Sequence, residues 1–377
     1  MKTARYFTHL LKQAGFNFFS GVPCSFLTQV INQAITDPEL DYVAATSEGE
    51  AVALAAGAWL AGKQSVVMCQ NSGLGNMINP LTSLNAAFAI PVLLMVTHRG
   101  KPGIKDEPQH RLMGEITPDL LALLGIPSFV LPATPAAMEE VISHVMHQVQ
   151  DKQKTVALIV EKGIFSESSS DKNIQCTLPS RAEVLEQLLE LAGDQDFLIA
   201  TTGKTGRELF TLNDRPNNLY CVGSMGYASA LAQGIALYAL QRTVTIIDGD
   251  GAALMHPGNM ATIGHLRSPN IIHLLLNNGT YDSTGGQKTL ADSVDFAQLA
   301  LGMGYVHARY CTSHAELAEA YRHAREFARG PVLLIVNIAN GSMGNLGRPT
   351  VTPEQIARRL QHQIKESFSH DRQFHIE

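Results

Sequence analysis

Residues 243–284 read TVTIIDGDGAALMHPGNMATIGHLRSPNIIHLLLNNGTYDST. Two short runs rich in Val, Ile and Leu, Val244–Ile247 and Ile271–Leu276, flank a stretch of helical length, the pattern of successive parallel strands buried on both faces. Gly249-Asp250-Gly251 stands directly after the first run and Asn277-Asn278 directly after the second. Loops at the carboxyl ends of parallel strands share one edge of the sheet, so both motifs reach the same place. Asp250 supplies a hard anionic oxygen, and Asn278 with a nearby carbonyl adds neutral oxygens, a donor set suited to Mg²⁺ with places left for phosphate oxygens. Gly249 and Gly251 let the main chain come close to a bulky anion. Asp-Gly and Asn-Gly are also ordinary turn formers; their pairing on consecutive strands favours the metal reading.

Similar runs recur on both sides: Tyr42–Ala45, Ser65–Cys69, Pro91–Val96 and Ala157–Val160 before it, Phe197–Ala200 and Val332–Val336 around it. Alternating with amphipathic segments, they define an α/β protein. The polar stretch ESSSDKNI at 167–174 divides the chain, giving a first half at 1–166, a linker at 167–180 and a second half at 181–377. The N-terminal MKTARYFTHLLKQAGFNFF reads as a first helix, because Thr8, His9, Lys12 and Gln13 break any signal-peptide core.

Composition narrows the function. Among 377 residues, Lys and Arg number 28 against 34 Asp and Glu, a net charge of −6 that argues against a general nucleic-acid binder. No apolar run reaches the about 20 residues of a membrane helix. The five cysteines, Cys24, Cys69, Cys176, Cys221 and Cys311, form no Cys-x-x-Cys pair, which argues against a zinc knuckle or disulfide scaffold and fits a cytoplasmic protein. A Rossmann dehydrogenase fits poorly, since Ile78 and Leu254 stand where the third glycine should follow Gly73-x-Gly75 and Gly249-x-Gly251.

In TSEGEAVALAAGAWLAGK, which begins a helix after Tyr42–Ala45, Ser47 and Glu50 have capping-box spacing, and Glu48 has the place of a dipole-stabilising first-turn acid. Three loops follow first-half strands: GVPCSF at 21–26, QNSGLGN at 70–76 and THRGKPGIKDEPQHRLMG at 97–114. The third gathers Arg99, Lys101, Lys105 and Arg111 beside His98 and His110, a cluster suited to a multiply charged anion. It also reads as a solvated loop partly neutralised by Asp106, Glu107 and Glu115. Ser25 has the position of an N-cap for the next helix.

The Gly-Asp-Gly and Asn-Asn pair resembles the signature of thiamine diphosphate enzymes, and NNGT matches their decarboxylase branch. The resemblance implies thiamine diphosphate and Mg²⁺ as cofactors, with the ion on Asp250, Asn278 and the carbonyl of Thr280. GSMGYASALAQGIAL at 223–237 resembles the family segment against the aminopyrimidine, which places Gly223, Ser224 and Gly226 close to it. Met225 then props the bent cofactor, although core packing would also explain a methionine there. The register to Gly57 selects Glu48, rather than Glu50, as the catalytic carboxylate that shares a proton with the pyrimidine N1′ and so activates the cofactor. The implied fold is two thiamine diphosphate-binding-fold domains, each a mainly parallel sheet flanked by helices: a pyrimidine-binding domain at 1–166 and a diphosphate- and Mg-binding domain at 181–377, with no middle domain. Family members assemble their sites from different subunits, which implies a homo-oligomer with active sites between subunits.

Seven stretches carry a closer resemblance along nearly the whole chain: GVPCSFL, EGEAVALAAG, QNSGLGNMINPLTSL, KDEPQHRLMG, TTGKTGRELF, DSTGGQKT and GRPTVTP. They resemble the phosphonopyruvate decarboxylase family, a lyase branch related to the sulfopyruvate decarboxylases. The implied reaction turns a small anionic 2-oxoacid, 3-phosphonopyruvate, into phosphonoacetaldehyde and CO₂ in phosphonate biosynthesis. Candidates for the substrate side are Ser25, Asn71, Arg99, Lys105, His110, Ser283 and Thr284. Rival readings are a sulfopyruvate decarboxylase, an acetolactate-type carboligase and a non-catalytic nucleotide-binding regulator. One departure stands out: Cys69 and Gln70 occupy the second loop where some larger decarboxylases carry His, so proton transfer there must rest on other groups.

Overall fold

The computed structural model describes residues 2–165, 177–327 and 329–371. Residues 167–176 of the expected linker, Cys176 among them, lie outside the described residues. The chain divides into two compact units, Met1–Lys172 and Asn173–Glu377.

The first unit holds β1 (Phe16–Gly21), β2 (Asp41–Ala44), β3 (Gln64–Cys69), β4 (Leu93–Thr97), β5 (Ser128–Val130) and β6 (Val156–Val160), in the order β2-β1-β3-β4-β6-β5 with every pair parallel. Alternation along the strands feeds two cores. Val66 and Met68 pack with Phe7, Leu11, Ile31 and Met138 on one face, while Val67 and Cys69 pack with Val52, Ala55, Met77 and Leu121 on the other. Burial on both faces explains why these strands read as continuous apolar runs.

The second unit holds β7 (Phe197–Ala200), β8 (Asn218–Tyr220), β9 (Val244–Gly249), β10 (Ile271–Asn277), a small antiparallel ribbon of β11 (Thr280–Tyr281) and β12 (Gln287–Lys288), β13 (His307–Tyr310) and β14 (Val332–Asn337). The main sheet runs β13-β14-β10-β9-β7-β8, again all parallel. Each sheet is thus a parallel layer flanked by helices on both faces, and the described residues hold no third, middle domain.

The strand order reverses at one place in each sheet, between β1 and β3 and between β7 and β9. Such switch points open a crevice at the carboxyl ends, and the loops after those strands line it. Loops 21–26 and 70–76 flank the first; Gly249-Asp250-Gly251 flanks the second.

One expectation at the N-terminus is corrected. The first helix, expected to run through the stretch that ends at Phe19, spans Lys2–Gln13 and stops, and Phe16–Gly21 forms β1. Gly15 stands at φ 88° and donates its N–H to the Lys12 carbonyl, the left-handed residue that closes a helix.

Candidate active site

In the first unit, Glu48 opens the helix Glu48–Leu60 and is 6% exposed. Its Oε2 accepts from Asn76 Nδ2 at 2.7 Å. Gly73 lies against the same carboxylate so closely that a Cβ there would fall 2.4 Å from Oε1. Glu50 turns the other way: its Oε2 accepts from Thr46 N at 2.8 Å and from the Thr46 hydroxyl, and its own N–H donates to Ser47 Oγ at 3.3 Å. The capping box therefore closes one residue further back than its usual form. Two neighbouring acids on one helix start have separate environments.

The three loops beyond β1, β3 and β4 converge. Arg99 donates to both oxygens of Asp106, from Nε at 2.7 Å and Nη2 at 2.6 Å, and its Nη1 reaches Ser25 Oγ at 3.3 Å. Its guanidinium also lies 4.7 Å over the Phe26 ring. Ser25 makes no side-chain cap bond to the helix that follows; the turn begins as a 3-10 segment at Ser25–Leu27. Asn71 is fully enclosed and donates to the Arg99 carbonyl at 2.8 Å and to Thr117 Oγ1 at 3.0 Å, tying the second loop to the third. His110 bonds Asp106 through Nδ1 at 3.0 Å and approaches Gln70 through Nε2 at 3.4 Å. Lys101 pairs with Glu161 and Arg111 with Glu115, whereas Lys105 is exposed without an ion pair among the described residues.

In the second unit, Gly249 and Leu276 pair across the ends of β9 and β10, so the two motifs emerge side by side. Asp250 opens the helix Asp250–Met255 at 2% exposure. Burial pushes its carboxyl above the ordinary range, against the Thr289 hydroxyl and the N–H groups of Asn278, Asp250 and Gly251 that face it. No Lys or Arg pairs with it among the described residues, so a divalent cation is the natural complement to this carboxylate. Asn278 Oδ1 accepts from Thr280 N at 3.1 Å, and its Nδ2 donates to Asp282 Oδ2 at 2.7 Å. Those two partners fix the amide: a main-chain N–H can only donate and a carboxylate can only accept. Arg181, 6% exposed, bonds the same Asp282 oxygen at 2.7 Å and Glu208 at 3.2 Å.

The segment from Gly223 to Gly226 leaves the region of β8 as an irregular loop. Ser224 has φ 52°, a left-handed conformation uncommon outside glycine and concentrated at ligand sites. The Gly226 carbonyl accepts from Asn259 Nδ2 at 2.7 Å. Met225 is half-buried and belongs to neither core of its unit, so packing does not account for it.

Residues 1–123 match the thiamine pyrophosphate enzyme N-terminal TPP binding domain, and residues 201–336 match the C-terminal TPP binding domain. The chain is 40% identical to proteins named phosphonopyruvate decarboxylase from Streptomyces viridochromogenes and Streptomyces hygroscopicus, over 92% of this chain and 91% and 90% of theirs. It is 27% identical to a sulfopyruvate decarboxylase from Methanosarcina acetivorans over 93% of this chain and 95% of that one. The chain belongs to the phosphonopyruvate decarboxylase family of thiamine diphosphate enzymes.

As a phosphonopyruvate decarboxylase family member it is a carboxy-lyase, and the regulator reading falls away. Within that family frame, the expected substrate candidates divide by unit. Ser25, Asn71, Arg99 and His110 form one bonded cluster in the first, with Lys105 exposed on the same loop. Ser283 and Thr284 stand in the second, in the turn between β11 and β12; Thr284 donates to the Tyr281 carbonyl at 3.2 Å. Sequence reasoning missed Asn76 and Asp282, and it read Asp106 only as a neutralising charge. Asp106 lies inside KDEPQHRLMG and Asp282 opens DSTGGQKT, but nothing in spacing alone tells a loop acid that turns inward from one that faces water. The thiols of Cys24 and Cys69 are enclosed, and burial raises both. No helix among the described residues is long and apolar enough to cross a membrane.

Proposed function

We propose that this chain decarboxylates 3-phosphonopyruvate to phosphonoacetaldehyde and CO₂, using thiamine diphosphate and Mg²⁺, in the phosphonate metabolism of the cytoplasm. The observation that carries the reading is the likeness, sustained through both units, to two proteins named phosphonopyruvate decarboxylase. Residues 1–166 serve as the pyrimidine-binding domain and 181–377 as the diphosphate domain, joined by 167–180. The working form is a homo-oligomer with its active sites between subunits.

Glu48 holds the proton shared with the pyrimidine N1′, and its burial strengthens that hydrogen bond. Asp250, Asn278 and the Thr280 carbonyl hold Mg²⁺. Gly223, Ser224, Gly226, Gly249 and Gly251 bring main chain close to the cofactor, and Met225 gives it an apolar support. When bound, thiamine diphosphate supplies the sink for the electron pair left by CO₂. Ser25, Arg99, Lys105, Ser283 and Thr284 are the residues proposed to bind the anionic substrate, while Asn71 holds the Arg99 loop in place. Two anionic groups leaving water need cations and hydrogen-bond donors at both ends.

A coupled assay for aldehyde product, run with phosphonopyruvate, sulfopyruvate and pyruvate in turn, tests the reading. The expected result is the highest kcat/KM for phosphonopyruvate. A preference for sulfopyruvate would move the activity to the neighbouring family, and no aldehyde from any of the three with cofactors present would overturn the assignment.

A further inference from the structure

Replacing a carboxylate by hydrogen consumes one proton for each CO₂ released. The second loop offers no carrier for it: Cys69 is fully enclosed with its thiol held well above the ordinary value by burial, and Gln70 does not titrate. The third loop brings His110 to that spot, 8% exposed, with Nε2 3.4 Å from the Gln70 amide nitrogen.

Counting donors fixes its tautomer. Asp106 Oδ1 accepts from Arg99 Nη2 at 2.6 Å and Glu107 N at 2.8 Å, and Oδ2 accepts from Arg99 Nε at 2.7 Å and Gly100 N at 2.9 Å. Burial pushes the Asp106 carboxyl up, but these donors and His110 outweigh it and hold the group well below the usual carboxylate range. An ionised carboxylate cannot donate, so His110 Nδ1 must donate to it at 3.0 Å. The neutral ring then carries its lone pair on Nε2, which accepts from Gln70. Burial makes the ring a weaker base, opposed by Asp106 and reinforced by Arg99. The charged groups facing the ring are therefore Asp106, Arg99 and Glu107, with uncharged Gln70 from the second loop.

We propose that His110 is the proton donor to the carbon that loses CO₂, with Asp106 as its positioning residue. The proposal rests on the decarboxylation read above. The bond from the keto carbon to the carboxylate breaks, and its electron pair forms a new C–H bond with the Nε2 proton of doubly protonated His110. The ring returns to its neutral Nδ1–H form and takes the next proton from solvent. One CO₂ leaves and one proton enters, with no oxidant or reductant.

The test uses the full chain with thiamine diphosphate and Mg²⁺, assayed for aldehyde from about pH 5 to 9. His110→Gln should lower kcat by about 10²-fold or more with KM changed far less, and cofactor affinity should be retained. Added imidazole should restore part of the kcat of His110→Ala. Asp106→Asn removes the charge that favours the protonated ring, so the alkaline limb of kcat should move to lower pH, and Asp106→Glu should move it back. If Asp106→Asn does not fold, the His110 variants decide alone. A His110→Gln enzyme with normal kcat and raised KM would make His110 an anion ligand and overturn the proposal. Wild-type enzyme that yields no aldehyde would overturn the reaction and the proposal together, whereas active wild type beside an unimpaired His110→Gln sinks only the proton donor.

Discussion

The Asn76 side-chain amide donates to Glu48 Oε2 at 2.7 Å, from the helix Leu74–Pro80 onto the first turn of the helix Glu48–Leu60. One carboxylate oxygen is thereby fixed within the unit, and the other is the one proposed to face the cofactor. Glu48→Gln keeps the size and the bond to Asn76 but cannot share a proton. Turnover should fall by about 10²-fold or more with cofactor binding largely retained. Glu50→Gln should cost only about 0.5–1 kcal/mol of cap stability. Parallel calorimetric titration with cofactor and thermal melts would separate the two; a dead Glu50→Gln beside an active Glu48→Gln would reverse the assignment.

Gly73 is the second control on the same oxygen pair. A Cβ there would fall 2.4 Å from Glu48 Oε1, a contact relieved only by moving the acid. Gly73→Ala should therefore lower turnover as Glu48→Gln does while leaving the protein folded, because the displaced group is a side chain and the glycine has an ordinary helical φ of −74°. Near-normal kcat in a folded Gly73→Ala enzyme would show that the position of Glu48 does not matter.

In the second unit, Asp250 is the sole charged ligand proposed for Mg²⁺. Asp250→Asn should weaken Mg²⁺ and thiamine diphosphate binding together, since an ion held there would link the protein to the diphosphate. Asp282→Asn should lower Mg²⁺ affinity by about 10- to 100-fold without touching the ion, because an amide at 282 no longer forces the oxygen of Asn278 into place. Calorimetric Mg²⁺ titrations at fixed cofactor read both, and unchanged affinity in Asp282→Asn would free Asn278 from its neighbour.

The proposed substrate site ties substrate choice to the Arg99 edge that faces Ser25. Arg99→Ala and Lys105→Ala should raise KM for phosphonopyruvate far more than for pyruvate, which lacks the second anion. Wild-type enzyme should favour phosphonopyruvate over pyruvate by ~10³-fold in kcat/KM, because an empty anion pocket leaves desolvated donors unpaired. Equal losses on both substrates would place these cations at the carboxylate or outside the site.

Much of the sheet architecture is readable because its strands are buried on both faces. Val66 to Cys69 and Leu274 to Leu276 announce themselves as apolar runs. The edge strands Ser128–Val130 and His307–Tyr310 are half exposed and carry polar residues, so no run marks them. Phe16–Gly21 escaped for a different reason: its aromatic residues extend the apolar pattern of the preceding helix, and only the left-handed Gly15 separates them. Motif spacing was enough to bring Gly249 and Asn278 to one edge. It could not show that Asp106 folds back under Arg99, because that turn depends on Gly100 and Gly114 touching, where a Cβ on Gly114 would fall 1.9 Å from the Gly100 carbonyl oxygen. Nor could it show that Ser25 answers to Arg99 rather than to the helix it precedes.

Among the described residues every strand pairing closes within its own unit: six strands in the first and eight, counting the ribbon, in the second. Among the described residues neither sheet borrows a partner from the other, so a stop codon and a new start placed between residues 165 and 177 would break no ladder hydrogen bond described there. Co-expressed halves would each complete a sheet, and one half could then be altered, labelled or exchanged between related enzymes while the other is kept constant.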